Sequence, residues 1–133
     1  MPTVRRRFVL IALLPLALGC QPPTGPVAAG TWGGTDASLV LTAAGGALSY
    51  PCGAGTIDSS WSVSSTGAFA ATGEHFFGGG PAPLGGRPPH PARYTGELQG
   101  DDFTLTVTVT DLDEVLGPFH LVRGGPPVQE QCV

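Results

Sequence analysis

The sequence predicts an all-β domain, a small antiparallel up-and-down barrel of about seven or eight strands, with an open β-sandwich as the alternative. Residues 103–110 alternate apolar and threonine side chains without a break, so Phe103, Leu105, Val107 and Val109 share one face of a strand. Similar short runs, most of them joined by Gly-containing turns, recur along the chain, and no stretch shows capped helical periodicity. Closing such strands into a barrel would remove exposed edges.

The first half of the domain is predicted as strands between small-residue turns. Trp32 anchors the first run, Pro51 marks the end of the third, and Trp61 and Val63 share a face of the fifth. Gly-rich turns are expected at 44–46 and 53–55, and a hairpin turn at 65–67. The predicted strands cover 30–34, 37–43, 47–52, 56–58, 60–64 and 68–77.

The second half begins with a long loop at 78–91, where glycine and proline dominate and neither helix nor sheet is favoured. A strand at 92–99 with Tyr94 and Leu98 inward follows, then the alternating strand at 102–110, a loop at 111–116 and a last strand at 117–123. The loop could cover a barrel mouth, recognise a partner or be a plain flexible insertion.

The amino-acid composition distinguishes a folded domain from a disordered chain. Gly and Pro together make up about a quarter of the 133 residues, a fraction that is also typical of disorder, but 41% of the residues are hydrophobic and the alternation is regular. These features favour one small β domain with two flexible segments.

The N-terminus predicts export. Three arginines, Arg5 to Arg7, precede an eleven-residue apolar run and then Gly19 and Cys20. This is typical of a signal peptide (1–19), because the apolar run is too short to span a bilayer. The run ends in a sequence similar to a bacterial lipobox, which implies lipidation of Cys20; cleavage without lipidation is the alternative.

The predicted mature protein would thus be anchored in the cell envelope by its lipid. Residues 20–28 are predicted to be a Pro-rich tether and 29–133 the barrel domain. By resemblance to such lipoproteins, Gln21 after the lipidated cysteine favours anchoring in the outer membrane, if the cell has two membranes. Three arginines would face ten carboxylates, so a nucleic-acid partner is disfavoured.

The cysteine count predicts a disulfide. With Cys20 lipidated, Cys52 and Cys132 are left as a pair, and exported compartments permit such a bridge. Closing the loop of about eighty residues between Cys52 and Cys132 would stabilise the fold by roughly 4 kcal/mol. A redox or metal-binding thiol pair is the weaker alternative, because there is no Cys-x-x-Cys spacing.

The mature domain resembles a group of small bacterial lipoproteins that has no assigned activity. The residues that carry the resemblance lie at 30–34, 55–58, 67–75, 91–96 and 104–108, together with the late cysteine. Residues 30–32 are also similar to the first strand of avidin-like and lipocalin-like barrels. The later tryptophans and polar biotin ligands of avidins are not apparent, so biotin binding is not predicted.

Catalytic and metal sites are disfavoured. Glu74 and His75 are neighbours on one strand and point to opposite faces, and His90 follows the loop, so three convergent metal ligands are not expected. No serine lies in a nucleophile elbow, and no cofactor motif is present. The acidic residues that flank the 102–110 strand are interpreted as solvated turn residues, since their spacing is not that of an EF-hand: Asp101, Asp102, Asp111, Asp113 and Glu114.

The leading functional hypothesis is therefore a non-catalytic barrel that binds a small ligand or an envelope partner. Alternatives are a structural or interaction lipoprotein with a filled core and, less favoured, an enzyme. The same side chains could line a ligand pocket or simply form the core. The residues in question are Trp32, Tyr50, Trp61, Phe69, His75, Phe77 and Tyr94.

The export prediction can be tested by intact-mass spectrometry of the native protein extracted from membranes. We expect a chain that begins at Cys20, carries acyl lipid and is lighter by two hydrogens than its reduced form. The variant Cys20→Ser should leave the membrane fraction. An unlipidated wild-type chain would contradict the prediction.

Overall fold

The computed structural model describes residues 27–78 and 84–127, which form strands and turns. Inside these ranges the chain contains no helix with the length and apolarity that crossing a bilayer requires. The nine strands are β1 (Gly30–Gly33), β2 (Ser38–Thr42), β3 (Gly45–Tyr50), β4 (Gly53–Ile57), β5 (Ser62–Val63), β6 (Ala68–Phe77), β7 (His90–Gln99), β8 (Asp102–Val109) and β9 (Glu114–Arg123).

Eight of these strands close into an antiparallel barrel. Each strand pairs with the next along the chain, except that β4 pairs with the second half of β6 while the two-residue β5 lies beside its first half. The barrel closes where β1 meets β9, with Trp32 opposite Arg123 and Gly33 opposite Val122. The predicted up-and-down barrel is confirmed, and the sandwich alternative is wrong.

The alternation that predicted the fold decides which side chains face inward. Phe103, Leu105, Val107 and Val109 of β8 are all buried. The same period of two places Phe69, Ala71 and His75 of β6 and Ala92, Tyr94 and Leu98 of β7 inside. Each strand therefore contributes one face to a shared interior.

One end of the barrel, which we call the base, is packed with aromatic rings. Phe103 lies edge-on to Trp32 and to Phe69, with ring centroids 5.2 and 5.1 Å apart. The Arg123 guanidinium lies 4.2 Å from the Trp32 ring and donates to the Val27 carbonyl. This cation therefore both covers the Trp32 ring and holds the backbone at Val27, where the described chain begins.

The predicted turn at 53–55 is wrong, because these residues form the first part of β4. The chain turns earlier, at Pro51 and Cys52, so Cys52 lies outside β3. Gly53 and Gly55 face inward, where a Cβ atom would come within 2.5 Å of the Tyr50 ring and 2.2 Å of the Tyr94 hydroxyl. They are glycines because aromatic side chains occupy the adjacent space.

Other predicted boundaries are also wrong. The turn expected at 44–46 lies at 43–44, so β3 begins at Gly45 instead of residue 47. β7 begins at His90, two residues earlier than expected, because His90 and Pro91 pair with His75 and Glu74. The connection after β6 is therefore shorter than the predicted loop at 78–91. β9 begins at Glu114, within the stretch predicted as a loop, because its first residues pair with the end of β8.

Several predictions lie outside the described residues. They concern the signal peptide, most of the tether, the lipidation of Cys20 and the Cys132 half of the disulfide, and they stay predictions. Ala28, which was assigned to the tether, is buried, and its carbonyl accepts a hydrogen bond from the Trp32 indole at 2.9 Å.

A pair of substitutions on β8 tests the inward and outward faces. Leu105→Ala should lower the free energy of unfolding by about 2 to 5 kcal/mol, because it opens a cavity in a packed interior. Thr106→Ala, on the outer face of the same strand, should cost less than about 1 kcal/mol. Urea unfolding measures both; similar losses would contradict the assignment of the faces.

Candidate functional site

The barrel end opposite the base is open. It holds a cavity of about 560 Å³, which we call the mouth pocket. The strands β3, β6 and β9 supply most of its wall. The side chains that define it are Tyr50, His75, Phe77, Glu114, Leu116 and Phe119.

A break in the register of β9 places its residues around the pocket. Leu105 pairs with Phe119 and Val107 pairs with Leu116, so one residue of β8 lies opposite two residues of β9. This is the arrangement of a β-bulge, and Gly117 there has a φ of +96°, which favours glycine. Leu116 and Phe119 are three residues apart, yet both line the pocket.

Aromatic rings form a continuous wall of the mouth pocket. The Phe119 and Tyr50 rings are stacked with centroids 5.4 Å apart, and the Tyr50 and His75 rings with centroids 5.5 Å apart. Phe77 lies edge-on to His75 at 4.2 Å and to His90 at 5.1 Å. Such packing holds the rings in place without a ligand, so the pocket is largely preformed.

His75 is the buried polar group of this wall, with 1% of its surface exposed. Its Nδ1 atom is hydrogen-bonded to the Tyr50 hydroxyl. The Ala54 carbonyl, which can only accept, lies 3.3 Å from the same hydroxyl, so the Tyr50 proton serves Ala54 in the tautomer in which His75 Nδ1 is protonated. Within the described ranges His75 Nε2 has no hydrogen-bond partner. In this tautomer Nε2 is a bare acceptor.

Burial keeps both members of this pair neutral. Loss of solvent lowers the pKa of the His75 imidazole, and the nearby Glu114 carboxylate only partly opposes this shift. Burial likewise raises the pKa of the Tyr50 phenol. At neutral pH the pair is therefore an uncharged hydrogen-bond relay.

The rim of the pocket is acidic. The exposed carboxylates Glu114 and Asp36 both line it. Asp111, in the adjoining turn, contacts His90 Nδ1 at 2.8 Å. Arg87 donates to the Phe77 carbonyl at 3.0 Å and brings one positive charge to this end. Carboxylates thus dominate the charge around the mouth.

The structure divides the residues proposed to line a pocket. Tyr50, His75 and Phe77 meet in the mouth pocket, whereas Trp32 and Phe69 belong to the packed base.

The remaining two residues predicted to line a pocket, Tyr94 and Trp61, lie outside the pocket wall. Tyr94 is buried, and its hydroxyl donates to the Glu74 carbonyl at 2.8 Å. Trp61 is half-buried against the core and donates to the Thr42 carbonyl at 2.7 Å.

Sequence reasoning missed Asp36, Glu114 and Leu116. Glu114 was interpreted as a solvated turn residue, but it lies on β9 opposite Val109 and lines the pocket. The Gly-Pro pair at 117–118 is the signal that could have revealed the bulge, because it interrupts an otherwise alternating strand.

The mouth pocket combines apolar surface with few polar groups. Its wall is mostly apolar and aromatic, and the buried imidazole offers one acceptor. Across residues 27–78 and 84–127 no three His, Cys, Asp or Glu side chains converge as a metal site would require. Glu74 faces outward, away from His75, as expected from their adjacent positions.

Comparison of this chain with models of known protein families, with curated proteins and with solved structures found no match.

The lowered pKa of His75 predicts a dependence of stability on pH. The unfolded state takes up a proton at the ordinary histidine pKa of about 6.5, whereas folded His75 resists protonation. The stability that this group contributes is thus present above about pH 6.5 and is lost as the pH falls toward its folded pKa.

The free energy of unfolding of the unsubstituted protein should fall between pH 7.5 and pH 5. In the His75→Gln variant this fall should be smaller, as measured by urea titrations at each pH. His120→Gln, at an exposed position of β9, is the matched control and should leave the pH profile unchanged. Equal profiles for His75→Gln and the unsubstituted protein would contradict the buried, neutral imidazole.

Proposed function

We propose that this protein is a lipid-anchored barrel of the cell envelope that binds a small, mostly apolar ligand in its mouth pocket and performs no chemistry on it. The barrel displays the pocket, and the predicted lipid on Cys20 attaches it to the membrane. Under this proposal the predicted Cys52–Cys132 disulfide ties the C-terminal tail to the turn beside the pocket, since Cys52 contributes to the pocket wall.

The observation that carries the proposal is a cavity of about 560 Å³ lined by His75, whose buried Nε2 has no hydrogen-bond partner in the described part of the chain. Ligand pockets usually measure about 300 to 1,000 Å³ and combine apolar walls with a few convergent polar groups. A buried acceptor without a partner costs about 1 to 3 kcal/mol. A ligand that donates to Nε2 would remove this cost and gain specificity from it.

The alternative of a structural protein with a filled interior fits only half of the barrel. The base is filled by Trp32, Phe69 and Phe103, as that alternative requires. The mouth holds a preformed cavity instead, lined on one side by Leu116 and Phe119. Eight-stranded barrels can hold one small ligand in this way.

Blocking the pocket tests the proposal. Leu116→Trp should fill the cavity and weaken binding of the neutral fluorescent probe N-phenyl-1-naphthylamine by about tenfold or more, because the indole takes the space of the ligand. Val115→Trp is the matched control. Val115 is the next residue along β9, and its side chain is 61% exposed on the outer face. Titration of the probe fluorescence measures both variants.

If the unsubstituted protein does not bind the probe, or if both variants bind it equally well, the mouth pocket is not the binding site. Circular dichroism of each variant verifies that the barrel is still folded.

A further inference from the structure

We infer that the ligand of the mouth pocket is a small organic cation, namely a protonated primary or secondary amine on a compact apolar body. This inference rests on the proposed function and names the chemical class of the ligand. It is carried by three features of the pocket: the direction of the hydrogen-bond relay, the sign of the charge at the rim and the aromatic wall.

The relay determines which kind of group the pocket floor accepts. In the tautomer that lets the Tyr50 hydroxyl donate to the Ala54 carbonyl, the His75 Nδ1 proton is donated to the Tyr50 oxygen. In this tautomer the buried Nε2 of His75, a residue that lines the pocket, has a lone pair and lacks a donor. An ammonium group has N–H donors and no acceptor, whereas a carboxylate would place a second acceptor against Nε2.

The rim adds electrostatic selectivity. Glu114 is on the inner face of β9, opposite Val109, and interacts with both Tyr50 and His75. Asp36 lines the same pocket from the turn between β1 and β2. Two carboxylates at the entrance attract a cation and repel an anion, and Arg87, which donates to the Phe77 carbonyl, only partly offsets them.

The aromatic wall suits a cation that carries an apolar body. The faces and edges of Tyr50, Phe77 and Phe119 are held by their mutual contacts. Ring faces attract cations, and the rings also provide the apolar surface that the body of the ligand needs. A bare metal ion would use none of this surface.

Four probes of similar size separate these contributions: 2-phenylethylamine, 2-phenylethanol, 3-phenylpropanoate and the quaternary trimethyl(2-phenylethyl)ammonium. Isothermal titration calorimetry at pH 7 should show that the amine binds about five- to tenfold more tightly than the alcohol, since the rim favours its charge. The carboxylate should bind more weakly than the alcohol. The quaternary cation should also bind less tightly than the amine, because it has no N–H to donate to His75.

The substitution Glu114→Gln should remove most of the preference for the amine over the alcohol, measured as the ratio of their two dissociation constants. Glu114 is exposed at the end of a strand, so folding should persist. Glu97→Gln, at an exposed position of β7, is the matched control and should keep the preference.

The inference is overturned if the alcohol or the carboxylate binds as tightly as the amine, or if Glu114→Gln keeps the full preference. In those cases binding of the neutral naphthylamine probe would still support the proposed function. If neither that probe nor any of the four compounds binds, the proposed function fails together with the inference.

Discussion

The barrel depends on the contact between Trp32 and Arg123 at its seam. The first and last strands share two paired positions there, fewer than any other pair of neighbouring strands in the barrel. The Arg123 side chain strengthens this seam by covering the Trp32 ring and by donating to the carbonyls of Val27 and Ala29. One side chain thus joins the last strand, the first strand and the incoming chain, and it stabilises the closure that the pairing of β1 with β9 makes.

Closure gives an interior of fixed width, and the sequence fills its two ends differently. Large rings meet edge to edge at the base and leave no room for a guest. Toward the mouth, Gly53 and Gly55 of β4 leave the space that the Tyr50 and Tyr94 side chains take. The Tyr50 ring then lies against the wall and stacks on His75 instead of crossing the barrel. The cavity therefore exists because small residues let aromatic ones lie flat.

Much of the fold could be predicted because alternation reports the inner and outer faces directly, as β8 and β6 demonstrate. What alternation could not supply was the geometry that interrupts it. The bulge at Gly117 shifted Leu116 and Glu114 onto the inner face, and inward glycines resembled a turn. His75 was recognised as a possible pocket residue, but its lone acceptor depends on Tyr50, which is distant in sequence. Contacts between separate strands have no local signal.

The position of Val27 has a consequence for how the protein would meet its surroundings. Val27 lies beside Arg123 at the base, so the described chain enters the barrel at the end remote from the cavity. If lipid holds the preceding segment at a bilayer, the opening is directed away from the lipid headgroups. Such a protein would sample solutes dissolved in the aqueous compartment, in contrast to a carrier that extracts its cargo from the membrane.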